Sequence, residues 1–387
     1  MKKWLYLLMF VLTTPSVAQQ LSEKSTISVI TCGPGEELFT AFGHSAFRVF
    51  DPLQNIDKIY NYGTFDFNAP NFYYNFAKGK LIYQLSTTKF PYFLYAYKQE
   101  NRWVKGQILN LNEAQKQAFF NFLETNAKPK NRNYKYDFFY DNCATKIEDV
   151  VKIALEDDAT FSNTHLASTK THRDLIADYT EENFKWGKFG IDLALGSVID
   201  NKASYNDYKF LPDYIYKAFN NATVINNGKK QPLVKNEVVF NKVENKNKKS
   251  SILPSPLITF TFLSILIILI TIVNYQKRKR SKWLDFSLYF ITGIVGIIVL
   301  ILWFATDHTA TYKNFNFLWA FAPNCIIAFY LLKNKLPKWI KTYNMLLLLL
   351  IVVLAIVWLF NIQQFNTALI PLLIALCIRY FYITNIK

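Results

Sequence analysis

The chain has four histidines and four cysteines, so it can build few nucleophile and base pairs. His44 stands in Phe42-Gly-His-Ser-Ala-Phe-Arg-Val, directly after a glycine and at the head of an aromatic and β-branched run. Cys143 stands in Tyr136-Asp-Phe-Phe-Tyr-Asp-Asn-Cys-Ala-Thr-Lys, where Asn142 is placed to cap a helix that Cys143 opens. A thiol at a helix start meets free backbone N–H groups and the positive end of the helix dipole. Both favour the thiolate and supply donors for an oxyanion. A histidine able to take the thiol proton would complete a pair of the kind that forms acyl-enzymes.

The elements that must position this pair can be read from residue patterning. Runs at 27–30 and 46–50, bounded by Gly, Pro and Asp, predict strands, as do 59–62, 80–86 and 103–109. Helical spacing covers 113–126 behind Asn112 as a cap. It returns at 143–155, where Ile147, Val150, Val151 and Ala154 make one apolar stripe. Residues 165–222 read as mostly helical, with segments at 173–184 and 211–219. The Lys- and Asn-rich stretch 226–251 reads as a linker, closed by Pro254 and Pro256. The result is an α+β domain with its histidine on a strand and its cysteine at a helix start. That is the papain-like arrangement, here with the histidine ahead of the cysteine.

Charge and hydropathy separate this domain from the C-terminal third of the chain. Residues 252–387 hold nearly all the long apolar runs, with 12 Lys and Arg against only Asp285 and Asp307; residues 19–251 carry 30 basic and 26 acidic residues. The basic excess therefore belongs to a membrane segment, and nucleic-acid binding is not implied. Met1-Lys2-Lys3, a short apolar stretch and the small residues Ser16 and Ala18 form a secretory signal peptide over 1–18. Five apolar stretches, near 254–275, 284–305, 315–332, 343–362 and 367–383, are long enough, or nearly so, to span a bilayer of about 20 residues per crossing. With the domain outside, 11 of the 12 basic residues of this segment fall on the cytoplasmic side and only Lys313 outside. The expected organisation is signal peptide 1–18, catalytic domain 19–160, helical extension 161–225, linker 226–251 and an all-α five-helix transmembrane domain 252–387. It would sit in the inner membrane with the catalytic domain in the periplasm.

The motifs carry a resemblance. Thr31-Cys-Gly-Pro-Gly-Glu-Glu-Leu, Phe42-Gly-His-Ser-Ala, Tyr60-Asn-Tyr-Gly-Thr-Phe-Asp-Phe, Glu100-Asn-Arg and Tyr136-Asp-Phe-Phe-Tyr-Asp-Asn-Cys-Ala-Thr resemble the exported domain of the Lnb-type lipoprotein N-acyltransferases of Bacteroidota, which is similar to circularly permuted papain-like (NlpC-like) enzymes. The resemblance continues through Phe189-Gly-Ile-Asp-Leu-Ala-Leu-Gly, Phe210-Leu-Pro-Asp-Tyr, Thr306-Asp-His and Asn314-Phe-Asn-Phe-Leu-Trp. It implies a phospholipid acyl donor, a diacylated lipoprotein acceptor, Cys143 as the acyl-accepting nucleophile and His44 as its base. Asn61, on the next predicted strand, is the candidate for the polar residue that orients the histidine in papain-like sites. No cofactor is implied, and no His, Cys and Asp cluster has metal-ligand spacing.

Other readings of the same residues stand beside this one. Cys32 and Cys143 are the only cysteines of the exported part, and a disulfide between them would remove the nucleophile. With water as acceptor, the dyad would make a hydrolase of peptide or cell-wall amide bonds; with Cys143 structural, the chain would be a membrane sensor or scaffold. His165 and His172 lie in polar sequence and read as solvated. Glu36 and Glu37 either serve the site or begin a helix. Asp307 and His308 fall at the outer end of the second span, in a hydrated loop or beside a lipid headgroup. The 34 Phe, 24 Tyr and 8 Trp suggest an apolar groove or interfacial belt, or ordinary packing.

Overall fold

The predicted strands form because their apolar side chains find cover on both faces. In the computed structural model, which describes residues 19–66, 68–80, 82–162, 169–243 and 253–386, seven strands build one antiparallel sheet. They are β1 (Thr26–Cys32), β2 (His44–Asp51), β3 (Ile56–Thr64), β4 (Ile82–Lys89), β5 (Val104–Leu109), β6 (Asn133–Lys135) and β10 (Val234–Asn241). Their spatial order is β10-β5-β1-β2-β3-β4-β6. Helices α3 (Glu113–Asn126) and α4 (Thr145–Leu155) bring Phe119, Leu123, Ile147 and Val151 against Val29, Phe47, Val49 and Tyr60 of the sheet. On the other face, Phe90 and Phe93 of α2 (Phe90–Gln99) pack with Ile30, Ala46 and Ile59. The expected signal peptide and His165 lie outside the described residues.

One expectation is corrected. Much of the expected linker 226–251 is β-structure: β8 (Thr223–Asn226) and β9 (Lys229–Pro232) form a hairpin that pairs with β7 (Ala159–Thr160), and β10 closes the main sheet against β5. Residues 244–252 of that linker lie outside the described residues. β10 carries Lys235, Asn236 and Glu237 because it is an edge strand, where charge on the open side is normal and no apolar alternation marks it. The hairpin did have a signal: Asn227-Gly228, both at positive φ, is a two-residue turn pair. The aromatic segment 72–76, to which the sequence assigned no element, is a short helix, α1 (Phe72–Ala77), with Tyr73, Tyr74 and Phe76 outward.

Beyond the sheet, α5 (His172–Thr180) packs on α6 (Lys185–Ala194), which meets the apolar part, while α7 (Pro212–Asn220) brings Ile215 and Phe219 into the core of the sheet. There α8 (Pro256–Gln276), α9 (Lys282–Phe304) and α11 (Trp339–Leu359) are three helices long and apolar enough to cross a membrane; at 21 to 23 residues each they extend roughly 30 Å. α12 (Leu369–Asn385) is shorter, at 17 residues. The stretch 315–332 is broken into a 3-10 turn (Phe315–Leu318) and the seven-residue α10 (Asn324–Tyr330). Gly293 and Gly296 of α9 admit it closely: a Cβ on Gly296 would lie 1.9 Å from the Ala320 carbonyl oxygen.

The two parts are joined by buried polar contacts. Asn314 Nδ2 donates to the Leu193 and Ala194 carbonyls at 2.9 and 3.0 Å, and Asn316 Nδ2 to the Asp192 carbonyl at 3.0 Å. Asn366 reaches the Asp192 carboxylate at 2.8 Å. Asp192 is also held by Arg173, which pairs with Asp200 as well. Residues distant in sequence thus share one carboxylate, and the exported part is seated at the outer end of the helices.

Candidate active site

His44 opens β2, and its placement depends on the residue before it. Gly43 has φ +81°, and a Cβ there would lie 2.7 Å from the Cys32 carbonyl oxygen, so only glycine lets the chain double back at this point. The turn sets His44 opposite Cys32 in the β1–β2 register. Asn61 comes from β3, and its Oδ1 lies 2.5 Å from His44 Nε2. With Nε2–H donated to Asn61, Nδ1 is left for another partner. The thiol of Cys143 lies close enough to His44 for each group to shift the other's titration.

Cys143 is carried to the histidine by its helix. Asn142 is buried, and its Oδ1 accepts from the backbone N–H of Ala144 at 2.7 Å and of Thr145 at 3.0 Å, while its carbonyl accepts from Lys146. Its Nδ2 donates to the Phe138 and Phe210 carbonyls at 2.7 and 2.8 Å. Asn142 therefore anchors the turn that leads into α4: Cys143 lies in this turn, two residues before Thr145 opens the helix, and not at the helix start that the sequence pattern predicts. Burial works against a thiolate here. The neighbouring His44 charge, the His44 hydrogen bond and the backbone N–H groups of Ser45 and Cys143 outweigh it, so the thiol titrates below its ordinary value. His44 answers in kind: burial lowers it, but the Cys143 charge and the bonds to Cys143 and Asn61 prevail, and its titration point is raised. Both shifts run toward the charged forms, thiolate and imidazolium, and both side chains are half-buried.

Four features of the site were not singled out from the sequence. Gly63, at φ +83° beside the β3–β4 irregularity, is one: a Cβ on it would stand 3.1 Å from the Cys143 Cβ. A lone glycine inside a strand pattern is the signal for such an approach. The Ser45 N–H is another, and backbone groups leave no trace in residue type. Arg102, buried, donates to the Gly33 carbonyl at 2.7 Å and to Glu100 at 2.9 Å, holding the end of β1. Finally, Tyr83 and Tyr136 stack at 4.0 Å beside the thiol, whose charge adds to burial in raising their phenols.

The remaining candidates fall in different places. All four cysteines are free, so no Cys32–Cys143 disulfide competes with the dyad. Cys32 is 1% exposed, and burial pushes its thiol up, which makes it inert. Glu36 and Glu37 are exposed, with Glu37 leading into a 3-10 turn (Leu38–Thr40). His172, expected to be solvated, is buried between Phe139 and Phe210, and burial lowers its titration point; the polar residues around it in sequence point elsewhere. Asp307 and His308 do meet the exported part. Asp307 N donates to the Lys78 carbonyl at 2.8 Å, Asp307 lies 3.6 Å from Lys135, and His308 Nε2 is 3.1 Å from the Phe76 carbonyl.

Comparison with known families agrees with the resemblance of the motifs. Residues 14–178 match the family model described as the Lnb N-terminal periplasmic domain, and residues 246–387 match that of the Lnb transmembrane domain. No curated protein and no solved structure matches the chain.

Proposed function

Because the chain belongs to the Lnb family, with both its periplasmic and its transmembrane domains, we propose that it is a membrane-bound thiol acyltransferase. It moves an acyl chain from a phospholipid, through a thioester on Cys143, to the N-terminal amine of a diacylglyceryl lipoprotein. The observation that carries this reading is a free Cys143 thiol beside His44, whose Nε2 is 2.5 Å from Asn61, in a chain with helices long and apolar enough to cross a membrane. The domain is papain-like in arrangement, with the histidine strand permuted ahead of the cysteine helix.

In the first half-reaction the Cys143 thiolate attacks the ester carbonyl carbon. The N–H groups of Cys143 and Ser45 are the donors nearest the oxyanion that forms. As the C–O bond breaks, the His44 imidazolium gives its proton to the departing lysophospholipid oxygen. In the second, the lipoprotein amine attacks the thioester, His44 takes the amine proton, and the Cys143 thiolate leaves. Asn61 keeps the ring oriented through both steps. In this reading the apolar part crosses the inner membrane five times. The broken stretch 315–332 is the third crossing, since it must return the chain to the side of Lys333, Lys335, Lys338 and Lys341.

The test is mass spectrometry of the purified protein, and of lipoprotein N-termini from cells in which each variant is the sole copy. A thioacyl adduct on Cys143 is expected. Cys143→Ala and His44→Ala should reach the membrane yet leave lipoproteins diacylated, whereas Cys32→Ser should stay active. Release of free fatty acid with no acceptor product would point to a hydrolase instead. Full triacylation with Cys143→Ala would remove the mechanism.

A further inference from the structure

The exported part presents α1 with Tyr73 76% exposed, Tyr74 60% and Phe76 53%, three large rings close together on a helix that buries none of its residues. A soluble surface gains nothing from this. The helix is also not free to move: the Lys78 carbonyl accepts from Asp307 N at 2.8 Å, and Gly79, at φ +70°, admits His308 so closely that a Cβ would lie 2.8 Å from its nitrogen. Asp307 is three residues past Phe304, the last residue of α9. Three residues span at most about 11 Å, and the headgroup layer is roughly 5–8 Å deep on each side of the hydrocarbon core. α1 is therefore held within about 11 Å of the end of α9, a reach that includes the headgroup layer.

Inward from α1 the ring contacts are continuous. Phe72 stacks on Phe65 at 5.6 Å, Phe65 meets Tyr83 at 5.1 Å, and Tyr83 stacks on Tyr136 beside the Cys143 thiol. Lys78 and Lys80 come directly after the helix, and Lys135 of β6 pairs with Asp307 at the same level. Cations at this depth match the phosphate of a phospholipid whose chains lie on the rings. Resting on the acyltransferase reading above, we propose that α1 is an interfacial ramp. Its exposed rings seat in the outer leaflet, and an acyl chain of a membrane phospholipid travels along Phe72, Phe65 and Tyr83 to Cys143.

The full-length protein in proteoliposomes of phosphatidylethanolamine and phosphatidylglycerol tests this in two ways. Photoreactive benzoylphenylalanine in place of Tyr73 is expected to crosslink to phospholipid, and in place of Ile153 it is not. Ile153 is also exposed, at 58%, but lies on α4, eight residues and about 12 Å along that helix from its first residue, Thr145, away from the ring contacts of α1. Absence of a lipid adduct at position 73, or an equal adduct at 153, overturns the proposal whether or not the protein is an acyltransferase. The triple variant Tyr73→Ser, Tyr74→Ser, Phe76→Ser should acylate Cys143 from vesicle lipid about tenfold or more slowly. Its reaction with water-soluble p-nitrophenyl butyrate should keep the wild-type rate. An unchanged rate from vesicle lipid, or an equal loss with both donors, overturns the ramp. Wild-type protein acylated by neither donor would instead sink the enzymatic reading, and the crosslink would still decide the position of α1.

Discussion

Gly63→Ala separates the geometry of the site from the stability of the fold. Two effects act at this position. Alanine at φ +83° is strained by about 1–2 kcal/mol, and its Cβ would stand 3.1 Å from the Cys143 Cβ, so one of them must give by a few tenths of an ångström. Cys143 is tied at its N–H side by the Asn142 cap, and β3 is tied to β2 and β4. The movement therefore falls on the thiol and its contact with His44. A displacement approaching 1 Å in a reacting group costs up to about a hundredfold in rate. Gly228→Ala supplies the control, because φ there is +72° and nothing lies within 4 Å of the new Cβ. Both variants should unfold a few degrees lower, at about 2–4 °C per kcal/mol for a domain of this size. Only Gly63→Ala should slow both acylation of Cys143 and its alkylation by iodoacetamide, by roughly ten- to a hundredfold. Wild-type alkylation in Gly63→Ala, or an equal loss in Gly228→Ala, would refute the packing argument.

The pH dependence of alkylation should follow the thiolate. Since Cys143 titrates below an ordinary thiol, iodoacetamide should react at pH values where a free cysteine is protonated, and the rate should fall only as pH drops through that lowered value. In His44→Ala the charge and hydrogen bond are lost while burial remains, so the profile should move up in pH; an unmoved profile would mean that His44 does not set the thiolate. Asn142→Ala removes the cap of α4 and strands the Phe138 and Phe210 carbonyls, which should cost about 2 kcal/mol in thermal unfolding and reduce alkylation as well. Within the membrane part, Asp285 pairs with Arg379 at 2.6 Å and with Arg280 at 2.9 Å, all three nearly fully buried. Asp285→Ala leaves two buried cations unpaired and should destabilise by about 3–5 kcal/mol, seen as early unfolding in detergent. Native-like melting of that variant would show the pair to be replaceable.

Residue type and local order were enough for the organisation of the chain and for singling out Cys143 and His44, which the fold brings together. Apolar run length and the side on which lysines and arginines cluster are local quantities, so the division into an exported part and membrane helices could be read without a fold. The same holds for His44 at the head of a strand, and in part for Cys143, which stands in the turn before its helix rather than at the helix start. Asn61 was reached through the papain-like pattern, and its distance from His44 was not. Tertiary structure decided what depends on residues far apart. The β3 strand meets the cysteine helix only because Gly63 lacks a Cβ, and the Ser45 N–H acts through backbone that any residue shares. β10 is a strand because β5 offers it an edge, not because its own sequence alternates. The third apolar stretch breaks because Gly293 and Gly296 let it pack as irregular backbone. The exposed rings of α1 read as aromatic excess until Asp307 and His308, more than two hundred residues later, pin them beside the bilayer.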